Sequence, residues 1–326
     1  MALLRAPIVI IEPTAVHSHS LILLHGAAHM RCAETRSLRK MLLVETRSFV
    51  RGRVSLGMHC DGRMFQRLPQ LLTALGGNAS GTRFIFPSSP VRTISWPQGP
   101  ESGVRAWYDY YTARGGSMRH DEINRTHLKQ MTQAVHLLLD AEVASLGGDP
   151  SRVAIGGNSQ GGTVAIHAAL TYPKPLAALF SLCSILLDVT PAPPALADRL
   201  PVYVFTAEFD QEYAPRFQHK CFKRLADVGF RLFSHVEPGL DHYTTSTAEL
   251  HHAAAWTSLA LHGRPLPPVT YRDVPSAVPQ PPLDFYRRRA GAIVSEPPDG
   301  GAAGGWWTSW WGTSGRAGRR VRANAS

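Results

Sequence analysis

Short segments that are apolar at nearly every position recur along this chain, each followed by a stretch of different periodicity. They include "IVII" at 8–11, "SLILL" at 20–24, "TRFIFP" at 82–87, "RVAIG" at 152–156, "LAALFSLCSIL" at 176–186, "PVYVFTA" at 201–207 and "FRLFSHV" at 230–236. A strand wetted on one face alternates polar and apolar residues, whereas a strand covered on both faces can be apolar throughout. The intervening stretches carry helical spacing. Residues 63–75 place Phe65, Leu68, Leu71, Leu72 and Leu75 on one face and close on Gly76-Gly77, with Pro69 expected to shorten the helix. Residues 122–146 repeat Ile123, Leu128, Met131, Val135, Leu138, Glu142 and Leu146 and close on Gly147-Gly148. Further helices are predicted from Ser159 to Leu170, over 213–227 and over 246–262. This alternation predicts an α/β fold with a mostly parallel central sheet and helices on both faces. Functional groups in such a sheet gather at the carboxyl ends of the strands.

Composition narrows the class. With 44% hydrophobic and 18% charged residues among 326, the chain can bury a sizeable core. Its apolar runs are too short to cross a bilayer, and Arg5 and Pro7 break the N-terminal stretch before a signal-peptide core forms. Cys32, Cys60, Cys183 and Cys221 show neither paired nor metal-ligand spacing, which fits reduced thiols in a cytoplasmic protein. The net charge of +10 does not mark a nucleic-acid binder. Residues 30–62 hold seven Arg/Lys against three Asp/Glu, and residues 287–326 hold seven against two, so the rest is nearly neutral. No nucleic-acid motif is present.

Those two basic segments also interrupt the organisation. Residues 30–62 lack a sustained period and read as a disordered insertion, of the kind that retained untranslated sequence would give. Residues 1–286 are otherwise assigned to one domain, with the Pro-rich 264–286 wrapping its surface. Residues 287–326 run from "RRR" through Gly/Ala-rich sequence to "WWTSWWG" and read as a disordered basic tail. Trp306, Trp307, Trp310 and Trp311 with nearby arginines suit transient contact with a membrane surface.

The chemistry concentrates at "RVAIGGNSQGG". Gly157-Asn158-Ser159-Gln160-Gly161 matches the G-x-S-x-G nucleophile elbow, in which a strand turns sharply into a helix and lifts the serine hydroxyl clear of the sheet. Serine is a weak nucleophile and needs a base, itself oriented by an acid. In this fold class the acid and then the base follow the serine along the chain. "TAEFDQEYAP" supplies Glu208 and Asp210 after one strand, and "GLDH" supplies His242 after the next, behind a predicted Pro-Gly turn. His235 lies inside a strand and reads as a core histidine, while His251 and His252 fall on the last helix. An oxyanion hole needs two backbone N–H groups. Gln160 supplies one, and the loop "HGAAH" after an early strand supplies the other from Ala27.

The set "LILLHGAAH", "FIFPSSPVRTISW", "RAWYDYY", "RVAIGGNSQGG", "TAEFDQEYAP" and "GLDH" resembles the acyl-protein thioesterase / phospholipase–carboxylesterase family. The resemblance covers about 8–29 and 63–262. It implies an α/β-hydrolase fold without a large cap domain, and a Ser-His-Asp triad of Ser159, His242 and Asp210 with no metal or organic cofactor. Asp210 matches the family's acid, the second acidic position of a G-D-x-D turn, and Glu208 occupies the first. The implied substrates are acylated proteins and small lipid or other esters. A palmitoyl-protein hydrolase is the leading reading, a lysophospholipase or short-chain carboxylesterase the alternative, and an inactive hydrolase-fold binding protein the rival of another class. Ala27, Ala28 and His29 depart from the family's usual Leu-Gly-Asp, and Asn158 replaces an apolar or aromatic residue. Trp107 and Asp109 in "AWYD" match structural positions. Oligomeric state has no signal in the sequence.

Overall fold

The structure is a computed structural model that describes residues 8–29, 68–74, 79–95, 100–112, 114, 118–243 and 247–261. The expected insertion at 30–62, the Pro-rich segment at 264–286 and the tail at 287–326 lie outside the described residues.

Ten strands and five α-helices are described. The strands are β1 (Ile8–Ile11), β2 (His19–Leu24), β3 (Ala28–His29), β4 (Thr82–Pro87), β5 (Val91–Ile94), β6 (Glu101–Arg105), β7 (Val153–Asn158), β8 (Ala178–Leu182), β9 (Val202–Phe209) and β10 (Leu232–Asp241). The helices are α1 (Leu68–Ala74), α2 (Arg125–Ser145), α3 (Ser159–Thr171), α4 (Pro215–Val228) and α5 (Thr247–Leu261). Seven strands form one sheet in the order β1-β4-β2-β7-β8-β9-β10. All its pairings are parallel except that of β1 with β4.

The all-apolar strands are explained by two separate cores. In β2, Leu21 and Leu23 enter one core while Ile22 and Leu24 enter the other. In β9, Tyr203 and Phe205 take one side, and Val202 and Val204 the opposite side. Successive side chains of a strand point to opposite faces, so a strand covered twice needs apolar residues at both parities. Helices α2, α3 and α4 cover the face holding Ile22, Ile155 and Leu179. Helices α1 and α5 cover the face holding Phe84, Phe180 and Phe233. Each fully buried Leu or Phe contributes about 1.5–3 kcal/mol, so neither helix layer can be lost without exposing a large apolar surface.

Strand β4 lies between β1 and β2. Three local features differ from the periodicity. The 176–186 run is a strand only to Leu182, because Cys183 adopts a left-handed backbone with φ 45 and turns the chain. Pro238 and Gly239 do not form a turn ahead of His242; they sit inside β10 as a register irregularity between Glu237 and Asp241. Proline is tolerated there because, among the described residues, β10 is an edge strand with one unpaired side. A small antiparallel sheet, β3-β6-β5, was not signalled by the pattern. Pro69 falls in the first turn of α1, where no intrahelical N–H bond is lost. No helix among the described residues is long and apolar enough to cross a membrane.

Candidate active site

Strand β7 ends at Asn158 and α3 starts at Ser159. Ser159 has φ 50, a left-handed conformation unusual for a residue with a side chain. Such a residue costs about 1–3 kcal/mol and persists only where its surroundings hold it. Two features hold it. Ser184 Oγ donates to the Ser159 carbonyl at 2.8 Å. The flanking glycines make room: a Cβ on Gly157 would lie 2.6 Å from the Gly161 carbonyl carbon, and one on Gly161 would lie 2.2 Å from the His25 carbonyl oxygen. The Gly161 contact means that α3 starts against the end of β2. It also brings Gly26 beside the serine, where the position of an added Cβ is 3.2 Å from Ser159 Cβ. Ala27 follows Gly26 directly and is half-buried.

Ser159 Oγ is 2.9 Å from His242 Nε2, and His242 Nδ1 is 2.9 Å from Asp210 Oδ1. A carboxylate oxygen accepts, so Nδ1–H donates and Nε2 turns its lone pair toward the serine hydroxyl. Asp210 is fully buried at the carboxyl end of β9. Its Oδ1 also accepts from the backbone N–H groups of Glu212 at 3.0 Å and Tyr213 at 2.7 Å, and its Oδ2 accepts from Gln218 Nε2 at 3.0 Å. Gln218 is fixed in turn by Thr206 Oγ1, which donates to its Oε1 at 3.0 Å. Glu208, two residues before Asp210, is directed elsewhere: its Oε2 accepts from the Gly239 N–H at 2.8 Å.

Side-chain bonds that the sequence did not reveal complete the site. His25 donates from Nδ1 to the Gly26 carbonyl at 2.6 Å and accepts at Nε2 from the Ser89 N–H at 2.9 Å. Trp107 Nε1 donates to the His25 carbonyl at 2.7 Å. These bonds clamp the loop that carries Ala27. The buried Gln160 side chain accepts from the Trp107 N–H at 2.7 Å and donates to the Tyr108 carbonyl at 2.8 Å. Asp109 accepts from the Ser95 N–H and hydroxyl, which agrees with a structural place for "AWYD". The loop "HGAAH" and Ala27 were visible in the sequence, but not the bonds that hold them; Gln218 and Ser184 carry no local signal.

The wall behind His242 is aromatic. The Tyr213 ring meets the imidazole edge-on with centroids 5.5 Å apart. Its hydroxyl lies 3.0 Å from that of Tyr110, which reaches Tyr108 and then Thr163. Burial pushes the Tyr108 hydroxyl up to about 12 and raises Tyr110 and Tyr213 well above the ordinary range. The row therefore stays neutral and adds no charge beside the imidazole.

The sequence profile of the phospholipase/carboxylesterase family matches residues 72–253, more than half of the chain and all of the segment from β4 to β10. The chain belongs to this family. Acyl-protein thioesterase 1 of Schizosaccharomyces pombe is 34% identical over 120 residues, covering 37% of this chain and 50% of that protein. The chain thus spans about half the length of that relative. Carboxylesterase SOBER1 of Arabidopsis thaliana is 26% identical over 189 residues, 56% of this chain and 79% of that protein. The solved structure of SOBER1 superposes with a TM-score of 0.54 at 19% identity, over 75% of this chain and 99% of that chain. That likeness establishes the α/β-hydrolase fold.

Proposed function

We propose that this chain is a serine hydrolase of carboxylic esters and acyl thioesters, working through an acyl-enzyme. The observation that carries the reading is the pair of 2.9 Å bonds joining Ser159 Oγ, His242 and Asp210, with the serine at a left-handed elbow. Ser159 Oγ attacks the acyl carbon while His242 Nε2 takes its proton. The carbonyl electrons move onto an oxygen held by the backbone N–H groups of Gln160 and Ala27. Collapse of this intermediate breaks the bond to the leaving thiol or alcohol, which receives the proton from His242. Water, deprotonated by His242, then releases the acid and restores the serine. Asp210 keeps the imidazole in the required tautomer throughout.

Within this class the reading is an acyl-protein thioesterase-like hydrolase of palmitoylated proteins, with lysophospholipids and simple esters as the alternative substrates. The names of the thioesterase and carboxylesterase relatives support both leaving-group classes. The test is a panel of acyl thioesters and p-nitrophenyl esters from short to long chains, with a palmitoylated peptide and a lysophospholipid alongside. Turnover of both esters and thioesters is expected, rising with chain length by up to about fourfold per methylene, since each buried CH2 contributes about 0.8 kcal/mol. Ser159→Ala should abolish turnover and fluorophosphonate labelling while leaving the circular dichroism unchanged. Activity confined to acetyl esters would leave a short-chain carboxylesterase, and a folded wild-type protein inert toward all of these would refute the hydrolase.

A further inference from the structure

On the sheet face covered by α5, the edge strand β10 presents Phe233, His235 and Glu237 at alternate positions, so they share one side of the strand. Helix α5 answers with Trp256 and, one turn earlier, His252. Phe233 packs on Trp256 with ring centroids 4.8 Å apart, which is ordinary core. One step along, the apolar pairing gives way to His235 facing His252, their rings stacked with centroids 4.1 Å apart. Glu237 adds a carboxylate, with its Oε2 at 2.8 Å from His235 Nε2. One ligating atom from each of His235, Glu237 and His252 lies within 4.8 Å of the others. All three residues are half-buried. The Tyr203 hydroxyl is hydrogen-bonded to His252 Nδ1, and the Phe205 ring packs against both imidazoles.

We propose that His235, Glu237 and His252 bind one zinc ion that ties the last helix to the edge strand. Two imidazoles and one carboxylate are donors that zinc favours, and three protein ligands leave a fourth position for water. Around a tetrahedral ion with bonds of about 2.0–2.2 Å, donor atoms stand roughly 3.4 Å apart. The widest separation therefore closes by at most about 1.4 Å while the His235–Glu237 pair at 2.8 Å opens by about 0.6 Å, both within reach of side-chain rotations, and the stacked rings turn so that their lone pairs converge. In the zinc form the neutral His235 ring carries its proton on Nδ1, which leaves the Nε2 lone pair and the Glu237 carboxylate for the ion. With Nδ1 of His252 held by Tyr203, Nε2 is the ligating nitrogen. A partner on the second ring nitrogen is what metal-ligating histidines commonly keep. The ion accounts for a polar cluster set where the Phe233–Trp256 core would otherwise continue. Because β10 runs on to Asp241, next to His242, the tie also steadies the segment leading to that residue. The site itself does not depend on the hydrolase reading.

The experiment uses the full chain without a histidine tag, stripped by chelator and titrated with zinc against a chromophoric chelator, with cobalt as the optical substitute. One ion per chain is expected, with intense visible cobalt bands of a tetrahedral N/O site and a raised melting temperature in the zinc form. His235→Ala, His252→Ala and Glu237→Gln should each weaken zinc at least tenfold, and the three together should abolish stoichiometric binding. His242→Ala should bind zinc as the wild type does, which separates this site from the histidine beside Ser159. Should His252→Ala fail to fold, His252→Gln read by the cobalt spectrum takes its place. No stoichiometric zinc in the wild type, or binding unchanged in the triple variant, overturns the proposal.

Discussion

Gly161→Ala puts a methyl group where the backbone leaves no space. Its Cβ would lie 2.2 Å from the His25 carbonyl oxygen and 2.4 Å from that of Leu24. Real Cβ atoms essentially never approach closer than 3.0 Å, and both obstacles are backbone rather than a side chain that can rotate away. The end of β2 and the start of α3 must therefore separate by about 0.8 Å. Overpacking of this kind costs about 1–3 kcal/mol, and each kcal/mol lowers the melting temperature of a domain this size by about 2–4 °C. The displaced segment leads directly into Gly26 and Ala27, and the moving helix start carries the Gln160 N–H. A misplacement near 1 Å in a catalytic constellation can cost about 10²-fold. Steady-state kinetics on a p-nitrophenyl ester should show kcat down by about that factor with KM little changed, beside a melting temperature lower by several degrees. Gly147→Ala is the control: its φ of +74 is unfavourable for alanine, but nothing lies within 4 Å of the added Cβ. It should lower stability modestly and leave kcat untouched. Wild-type kcat and melting temperature in Gly161→Ala would refute the coupling of this contact to the loop at Ala27.

Other variants address separate parts of the site and the fold. Asp210→Asn should lower kcat by about 10⁴-fold, as the triad template indicates, whereas Glu208→Gln, whose partner is the Gly239 N–H, should cost less than tenfold; the reverse ranking would reassign the acid. Gln160→Leu keeps the backbone N–H but strands the buried Trp107 N–H and Tyr108 carbonyl, so chemical denaturation should report a loss of about 1–3 kcal/mol. Burial depresses His167 to about 4 and lowers His120 and His127 below the ordinary 6.5. The unfolded chain then binds more protons than the folded one between about pH 6.5 and 4, so stability falls as pH drops through that window. Urea midpoints from pH 7 to 4 should show this slope, and His167→Gln should flatten it; an unchanged slope would exclude His167 as a contributor.

Much of the fold was legible because its causes are local. Apolar residues at both parities of a short strand mean two covered faces, and Leu21 to Leu24 divide between two cores as that rule requires. The elbow was legible for a related reason. Glycines crowding one serine between a strand and a helix leave few other conformations, and Ser159 indeed takes a left-handed one. Glu208 and Asp210 show the limit. Two residues apart, they are equivalent to any local pattern; the packing of α4 against the end of β9 brings Gln218 to Asp210, and the neighbouring β10 turns Glu208 toward Gly239. The small sheet β3-β6-β5 was not legible either, since β6, "ESGVR", has no strand periodicity and exists through its partners.

By itself, then, the sequence determined the alternation of strands and helices, the place of Ser159 at a strand-to-helix turn and the order in which Asp210 and His242 follow it. Periodicity and backbone sterics are properties of neighbouring residues, so they can be read along the chain. Tertiary structure decided which carboxylate reaches His242, how His25, Trp107 and Gln160 clamp the loop at Ala27, and that His235, Glu237 and His252 meet at all. Those outcomes depend on distances between segments separated by up to 82 residues, as for Trp107 and His25. Such distances are set when two cores close on the sheet from opposite sides, and no stretch of sequence carries them alone.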